Sequence, residues 1–300
     1  KKLITVSNNV SSNINLLLIF FLCADGVPVS LVHDLPLWAD KEKGIINIFI
    51  EIPRGTHAKL ECHKTKPFNP ITQDVKVDFA QLLKSSATTN ILSFNYLERQ
   101  VEIIAAQYPF PYNYGAIPQT WENPAVIDHE TKAKAEEKKI VIHCIKVVIY
   151  AGDNDPVDAC EIGTKLHATG TILQAKVLGG YAMIDEGEMD WKFITIDVTD
   201  EHADKLHGTR ARNGCFHPRQ KFFFFFFWGP VMDINCNAVN IDASDIDKVF
   251  PGKTQQIFEF IRDYKVPDGK PQAQFGFGGK LLDKVRAIFS PQIRAYHIWL

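Results

Sequence analysis

Asp153-Asn154-Asp155-Pro156-Val157-Asp158 places three carboxylates within six residues, with no basic residue among them. A second acidic run, Asp185-Glu186-Gly187-Glu188-Met189-Asp190, lies downstream and ends beside Trp191-Lys192. Two carboxylates about 4 Å apart repel by roughly 4 kcal/mol at an effective dielectric near 20. Bringing several together strains a fold unless hard cations sit between them. On an extended backbone Asp153 and Asp155 share a face, and Pro156 forces a bend that can swing Asp158 toward the same cavity. A lone Asp-x-Asp is more often a solvated turn; the second acidic run moves the reading to a metal site. A calcium loop of EF-hand type is excluded, because Val157 takes the third ligand position and Thr164 the twelfth. No His belongs to the clusters and Cys160 is their one thiol, so oxygen ligands favour magnesium or manganese.

Cations and phenols supply the complementary half. Lys59, Lys192 and Lys265 stand in acidic or aromatic contexts, and Tyr114 and Tyr264 can donate to phosphate oxygens. Taken singly, each is an ordinary surface lysine or packed tyrosine. Together with carboxylates that hold divalent metals, they are what metal-assisted phosphoryl transfer to water requires. The residues alone thus point to a magnesium-dependent phosphohydrolase. A nucleotide-directed enzyme is disfavoured, since no G-x-x-x-x-G-K-[ST] loop occurs.

The 300 residues suffice for one large domain or two small ones. A net charge of −2 gives no basic field for nucleic acid or an anionic membrane. Six scattered cysteines without C-x-x-C spacing fit free thiols in a reducing compartment better than disulfides or zinc. The apolar run from Ile14 to Ala24 is too short to span a bilayer and has the length of a signal-peptide core. The preferred reading is that 1–32 is a poorly ordered extension and 33–300 the domain proper. A cytoplasmic location follows, with mitochondrial or nuclear placement and a secretory signal as lesser alternatives.

Strand-like runs cover Asn47 to Pro53, Ala58 to Cys62, Gly170 to Leu178 (ending at Gly179-Gly180) and Lys192 to Val198. Helical patterns come late, over Ser244 to Phe250, Thr254 to Tyr264 and Gly279 to Ile288. Strands first and helices afterwards indicate an α+β fold with a mainly β core, a small barrel or curled sheet. Three stretches fit poorly and read as insertions: 77–98, 134–150 and 208–239, the last with six consecutive phenylalanines, Phe222 to Phe227. Such a run has no amphipathic period with which to choose a face.

The motifs go further. Asp153-Asn154-Asp155-Pro156-Val157-Asp158-Ala159 resembles the signature of the soluble family I inorganic pyrophosphatases at every position. Matching blocks follow in the family's order. They are His33 to Asp40, Glu51-Ile52-Pro53-Arg54 with Ala58-Lys59-Leu60-Glu61, Asn113 to Glu122, Asp185 to Lys192, and Tyr264 to Pro271 with Gln274-Phe275. The blocks skip the three odd stretches and look most like the animal or fungal branch. The resemblance implies a five-stranded OB-like barrel with flanking helices. It also implies a homodimer that hydrolyses pyrophosphate with Mg2+, with Mn2+ as a substitute. By motif, Asp153, Asp158 and Asp190 would hold activating metals, and Asp185 and Glu61, with Glu51 nearby, metals arriving with substrate. Asp155 would orient or deprotonate the attacking water. Lys59, Lys192, Tyr264, Lys265 and Tyr114 would grip the phosphates, Tyr114 and Lys192 assisting catalysis.

One region departs from the pattern. The family carries a phosphate-binding arginine and a tyrosine upstream of the Asn-Tyr-Gly block. Counting back without gaps places Arg99 and Phe110 there. Anchoring on Tyr108-Pro109 instead displaces Arg99 and makes Tyr112 the stand-in. Phe110 and the insertions keep an alternative in view: a weakened pyrophosphatase-like scaffold acting through protein partners, for example in chromatin remodelling.

Overall fold

The computed structural model describes residues 3–9, 17–23, 25–77, 101–103, 106–125, 127–128, 141–142, 145–146, 150–206 and 243–283. The elements used below are β1 (Leu3–Asn9), β2 (Leu17–Cys23), β3 (Ile45–Ile52), β4 (Leu60–Cys62), β5 (Ile71–Gln73), β6 (Asn113–Ala116), β7 (Asp158–Glu161), β8 (Ile172–Asp185), β9 (Glu188–Asp197), α1 (Ala243–Val249), α2 (Lys253–Asp263) and β10 (Leu282–Asp283).

Five strands close into a ring. β3 pairs antiparallel with β6 and β8, β6 antiparallel with β7, and β8 antiparallel with β9. The ring is completed by a parallel pairing of β7 with β9, in which Asp158 stands opposite Lys192. This is the five-stranded barrel expected from the motifs, and closure removes the exposed edges of an open sheet. Gly115 is required at the β3–β6 contact: a Cβ there would lie 1.9 Å from the Phe49 carbonyl oxygen.

The side-chain alternation of β9 decides where the chemistry goes. Met189, Trp191 and Phe193 enter one apolar cluster with Ile46, Ile48 and Ile50 of β3. Asp190 and Lys192 therefore project from the opposite face, as a period of two demands. A second apolar cluster, with Phe49, Ile52, Cys160, Ile194 and Ile196, joins that face to Ile246 of α1 and Ile257 and Ile261 of α2. Helix α2 carries Tyr264 as its C-cap, the Tyr264 N–H donating to the Phe260 carbonyl. Packing Ile257 and Ile261 thus sets where Tyr264 and Lys265 emerge.

Two expectations are corrected. β8 does not end at Gly179-Gly180 but continues to Asp185 through a register shift between Val177 and Gly179. The helix expected over Gly279 to Ile288 is not found in its described part, where a short 3-10 turn, Gly276–Gly279, leads to β10 paired with Gly179 and Gly180; 284–288 lie outside the described residues. The physical reason is the glycine itself: a Cβ at Gly179 would come within 2.6 Å of the Leu282 carbonyl, so its absence admits β10.

Part of the N-terminal 1–32 lies among the described residues. β2 pairs with β1 and β5, and β5 with β4, in one sheet. Ile19, Phe21, Leu31 and Val32 are buried in the second apolar cluster. Burying a side chain such as Phe21 stabilises by about 2 kcal/mol, which anchors the segment. Most of the three insertion-like stretches lies outside the described residues; within the second, 141–142 pair with 145–146. Among the described residues no helix is long and apolar enough to cross a membrane.

Candidate active site

The loop from Gly152 to Val157 is tied to the segment 117–123 by backbone bonds. The Glu122 N–H donates to the Asp155 carbonyl and the Asn154 N–H to the Glu122 carbonyl, both at 2.9 Å. The Val157 N–H donates to Thr120 Oγ1 at 3.0 Å, and the Trp121 indole N–H to Asn154 Oδ1 at 2.9 Å. Asn154 accepts the left-handed conformation (φ 71°) that lets the loop turn. Gly152 lies so close to the Glu122 backbone that a Cβ would come within 2.3 Å of it.

This loop and the 185–190 run face one cavity of about 360 Å³. Glu51, Lys59, Glu61, Tyr114, Asp153, Asp155, Asp158, Asp185, Asp190, Lys192, Tyr264 and Lys265 all line it. Arg99 lies outside the described residues. Phe110 and Tyr112 both stand in the cavity wall and are buried. Tyr112 is fully packed, and burial with the neighbouring Cys160 raises its phenol well above the usual range.

Each lysine is set against carboxylates. Lys192, 3% exposed, donates to both Asp190 oxygens at 2.7 Å, to Asp158, and to the Tyr114 hydroxyl at 3.2 Å. Burial alone would lower its pKa, but Asp158 and Asp190 outweigh it and hold the ammonium charged. Lys59 donates to Glu61 and Asp74 at 2.7 Å, and those two carboxylates likewise overcome desolvation. Lys265 donates to Asp185. The parallel register of β7 against β9 is what brings Asp158 and Lys192 together.

Sequence reasoning gave no role to Glu122, although it closes a quoted block. It is completely buried; its Oε1 accepts the Trp191 N–H at 2.9 Å, while its Oε2 has no hydrogen-bond partner among the described residues. Glu122, Asp153 and Asp190 each bring an oxygen within 4.8 Å of the others. Burial, then the charges of Asp153 and Asp190, push the Glu122 carboxyl well above the usual range. Burial and Asp190 push Asp153 up to about 8. A partnerless buried oxygen among three hard donors fits a divalent cation. Lys64, also unassigned from sequence, joins the cavity by an ion pair to Asp155 at 2.8 Å.

A pH dependence follows. Burial raises Asp158 to about 7, against the opposing pull of Lys192. An unfolded Asp titrates near 3.9, so between about pH 4 and pH 8 the folded chain holds protons that the unfolded chain has released. Raised acid pKa values therefore make stability fall as pH rises through that window. The depressed Asp190, held down by Lys192 against its burial, acts below the window. In chelator, the melting temperature should drop from pH 5 to pH 8, and excess Mn2+ should restore most at pH 8. Calorimetry checks this; a flat or rising profile in chelator contradicts it.

Comparison with known proteins gives one consistent neighbourhood. The family model described as "Inorganic pyrophosphatase" matches residues 48–226. The chain is 39% identical over 263 residues to the inorganic pyrophosphatase of Dictyostelium discoideum, covering 88% of this chain and 67% of that protein. The inorganic pyrophosphatase of Zygosaccharomyces bailii is also 39% identical, over 89% of this chain and 69% of its own. Among solved structures, the inorganic pyrophosphatase of Schistosoma japonicum superposes with a TM-score of 0.66 at 32% identity, covering 95% of this chain and 75% of that one.

Proposed function

The chain belongs to the inorganic pyrophosphatase family, and from that membership we propose that it hydrolyses pyrophosphate to two orthophosphates in this cavity, with magnesium as its metal. The observation that carries the reading is the convergence of two acidic loops around Lys192, with Lys59, Lys265, Tyr114 and Tyr264 along the same walls. Asp153, Asp190 and Glu122 would hold one divalent ion, and Asp158, Asp185, Glu61 and Glu51 are the further donors. Bound cations supply positive charge that lowers the pKa of water and offsets the charge on the phosphates.

The chain's own residues do the rest. Asp155 orients a water against the near phosphorus and takes its proton as the new P–O bond forms. The bridging P–O bond breaks, and its electron pair leaves on the far phosphate. Lys192 and Tyr114, already joined by a hydrogen bond, donate to that departing oxygen, while Lys59, Tyr264 and Lys265 hold the remaining phosphate oxygens. Arg99 is the proposed further phosphate ligand. Mn2+ is proposed as a substitute for magnesium, being equally content with oxygen donors.

A phosphate-release assay with pyrophosphate and ATP side by side tests the reading. Two phosphates per pyrophosphate and much slower release from ATP are expected in Mg2+. No release from pyrophosphate, or preference for ATP, defeats it, the first of these leaving the scaffold alternative. A cytoplasmic homodimer is proposed as well, resting on the family likeness and on the buried free thiols Cys62 and Cys160. Light scattering on the purified chain and cell fractionation measure these two points.

A further inference from the structure

Lys64 follows β4 on a loop with a defined shape. The Asn69 side-chain amide donates to the His63 and Lys64 carbonyls at 3.1 and 3.3 Å. Asn69 is itself buried and linked to Ser30 Oγ at 2.8 Å. The His63 imidazole Nδ1 accepts the Thr65 and Lys66 N–H groups. The loop thus presents Lys64 to the cavity, where its ammonium reaches Asp155 at 2.8 Å. The charges of Asp153 and Glu61 act on it too. Its side chain is 44% exposed and that of Asp155 37%, so the pair is solvated and can exchange partners at small cost.

We infer that Lys64 is a further substrate-binding residue of this cavity: a cation that opposes divalent metal at the neighbouring carboxylates and, once released from Asp155, takes a phosphate oxygen. Its ammonium, paired to Asp155, lies in the field of Asp153 and Glu61, to which metal is assigned, so each cation weakens the other's hold. The anionic substrate then offers the freed lysine a partner within the same walls as Lys59, Lys192 and Lys265. The substrate half rests on the pyrophosphatase reading; the metal half stands on the ion pair alone.

The test compares K64M and K64R with the unaltered chain. In equilibrium dialysis with Mn2+ and no substrate, K64M should bind the metal about two- to fivefold more tightly, the scale of a screened ion pair. The KM for pyrophosphate of K64M should rise about three- to tenfold with the loss of a charged donor. K64R should stay close to the unaltered chain in both. A structural lesion would weaken both kinds of binding, so the opposite signs are diagnostic. Mn2+ affinity that is unchanged or weaker in K64M, or K64R behaving like K64M, overturns the competition. A KM that does not move overturns the assignment to substrate. If the Mn2+ shift appears while the unaltered chain releases no phosphate, the lysine–metal competition stands and the pyrophosphatase reading falls.

Discussion

Asp155→Asn should lower turnover by a factor on the order of 10²–10⁴, the usual contribution of a placed general base, while leaving the fold intact. Asparagine keeps the size of the side chain and the backbone framework. The Asp155 N–H still donates to Asp153 Oδ1 at 2.9 Å, and its carbonyl still accepts from Glu122. What is lost is the acceptor for a proton, together with a half-exposed ion pair to Lys64 worth at most about 1 kcal/mol. Melting temperature should change little and Mn2+ binding by only a few fold. Turnover near that of the unaltered chain would show that another group takes the proton.

Lys192→Ala should destabilise the fold strongly. Lys192 is buried and shared by two carboxylates, and removing one partner of a buried ion pair costs about 3–5 kcal/mol. Asp158 and Asp190 would then face each other without a cation. The sign of the metal effect separates this from ordinary core damage: Mn2+ should recover much of the lost melting temperature and should still bind in dialysis. Turnover should remain about a hundredfold down, because the departing oxygen has lost its charged donor. An alanine variant that melts like the unaltered chain in chelator, or one that Mn2+ does not rescue, would refute the role given to Lys192.

Much of this was legible before any coordinates. The β-type runs Asn47 to Pro53 and Lys192 to Val198 pointed to two barrel strands, which span Ile45–Ile52 and Glu188–Asp197. Asp153, Asp155, Asp158, Asp190 and Lys192 stood out because so much charge in short segments demands partners. Other features turn on distant pairings that no local pattern encodes. Glu122 is one acid at the end of a mixed block, and only the fold reveals that Trp191 holds one of its oxygens and that its carboxyl stands beside those of Asp153 and Asp190. Lys64 looks like any loop lysine until the loop brings it to Asp155. The stretch Gly279 to Ile288 reads as a helix candidate, yet in its described part the bare backbone at Gly179 admits Leu282 as a strand. The run from Ile14 to Ala24 has the length of a signal-peptide core, and no local pattern in it shows that Leu17–Cys23 is a strand paired with Ile71 and Thr72.

The parallel joint between β7 and β9 makes chemistry a sensor of assembly. Asp158 begins one strand, while Asp190 and Lys192 sit at the start of the other, aligned only in the native register. Sliding either strand by one position would turn Asp158 to the face opposite Asp190 and Lys192. A misaligned molecule would thus be silent, whatever its secondary structure content. During refolding, enzymatic signal should therefore appear only as the last staves of the barrel lock, and scarcity of divalent metal should deprive the chain of a rivet as well as a reagent.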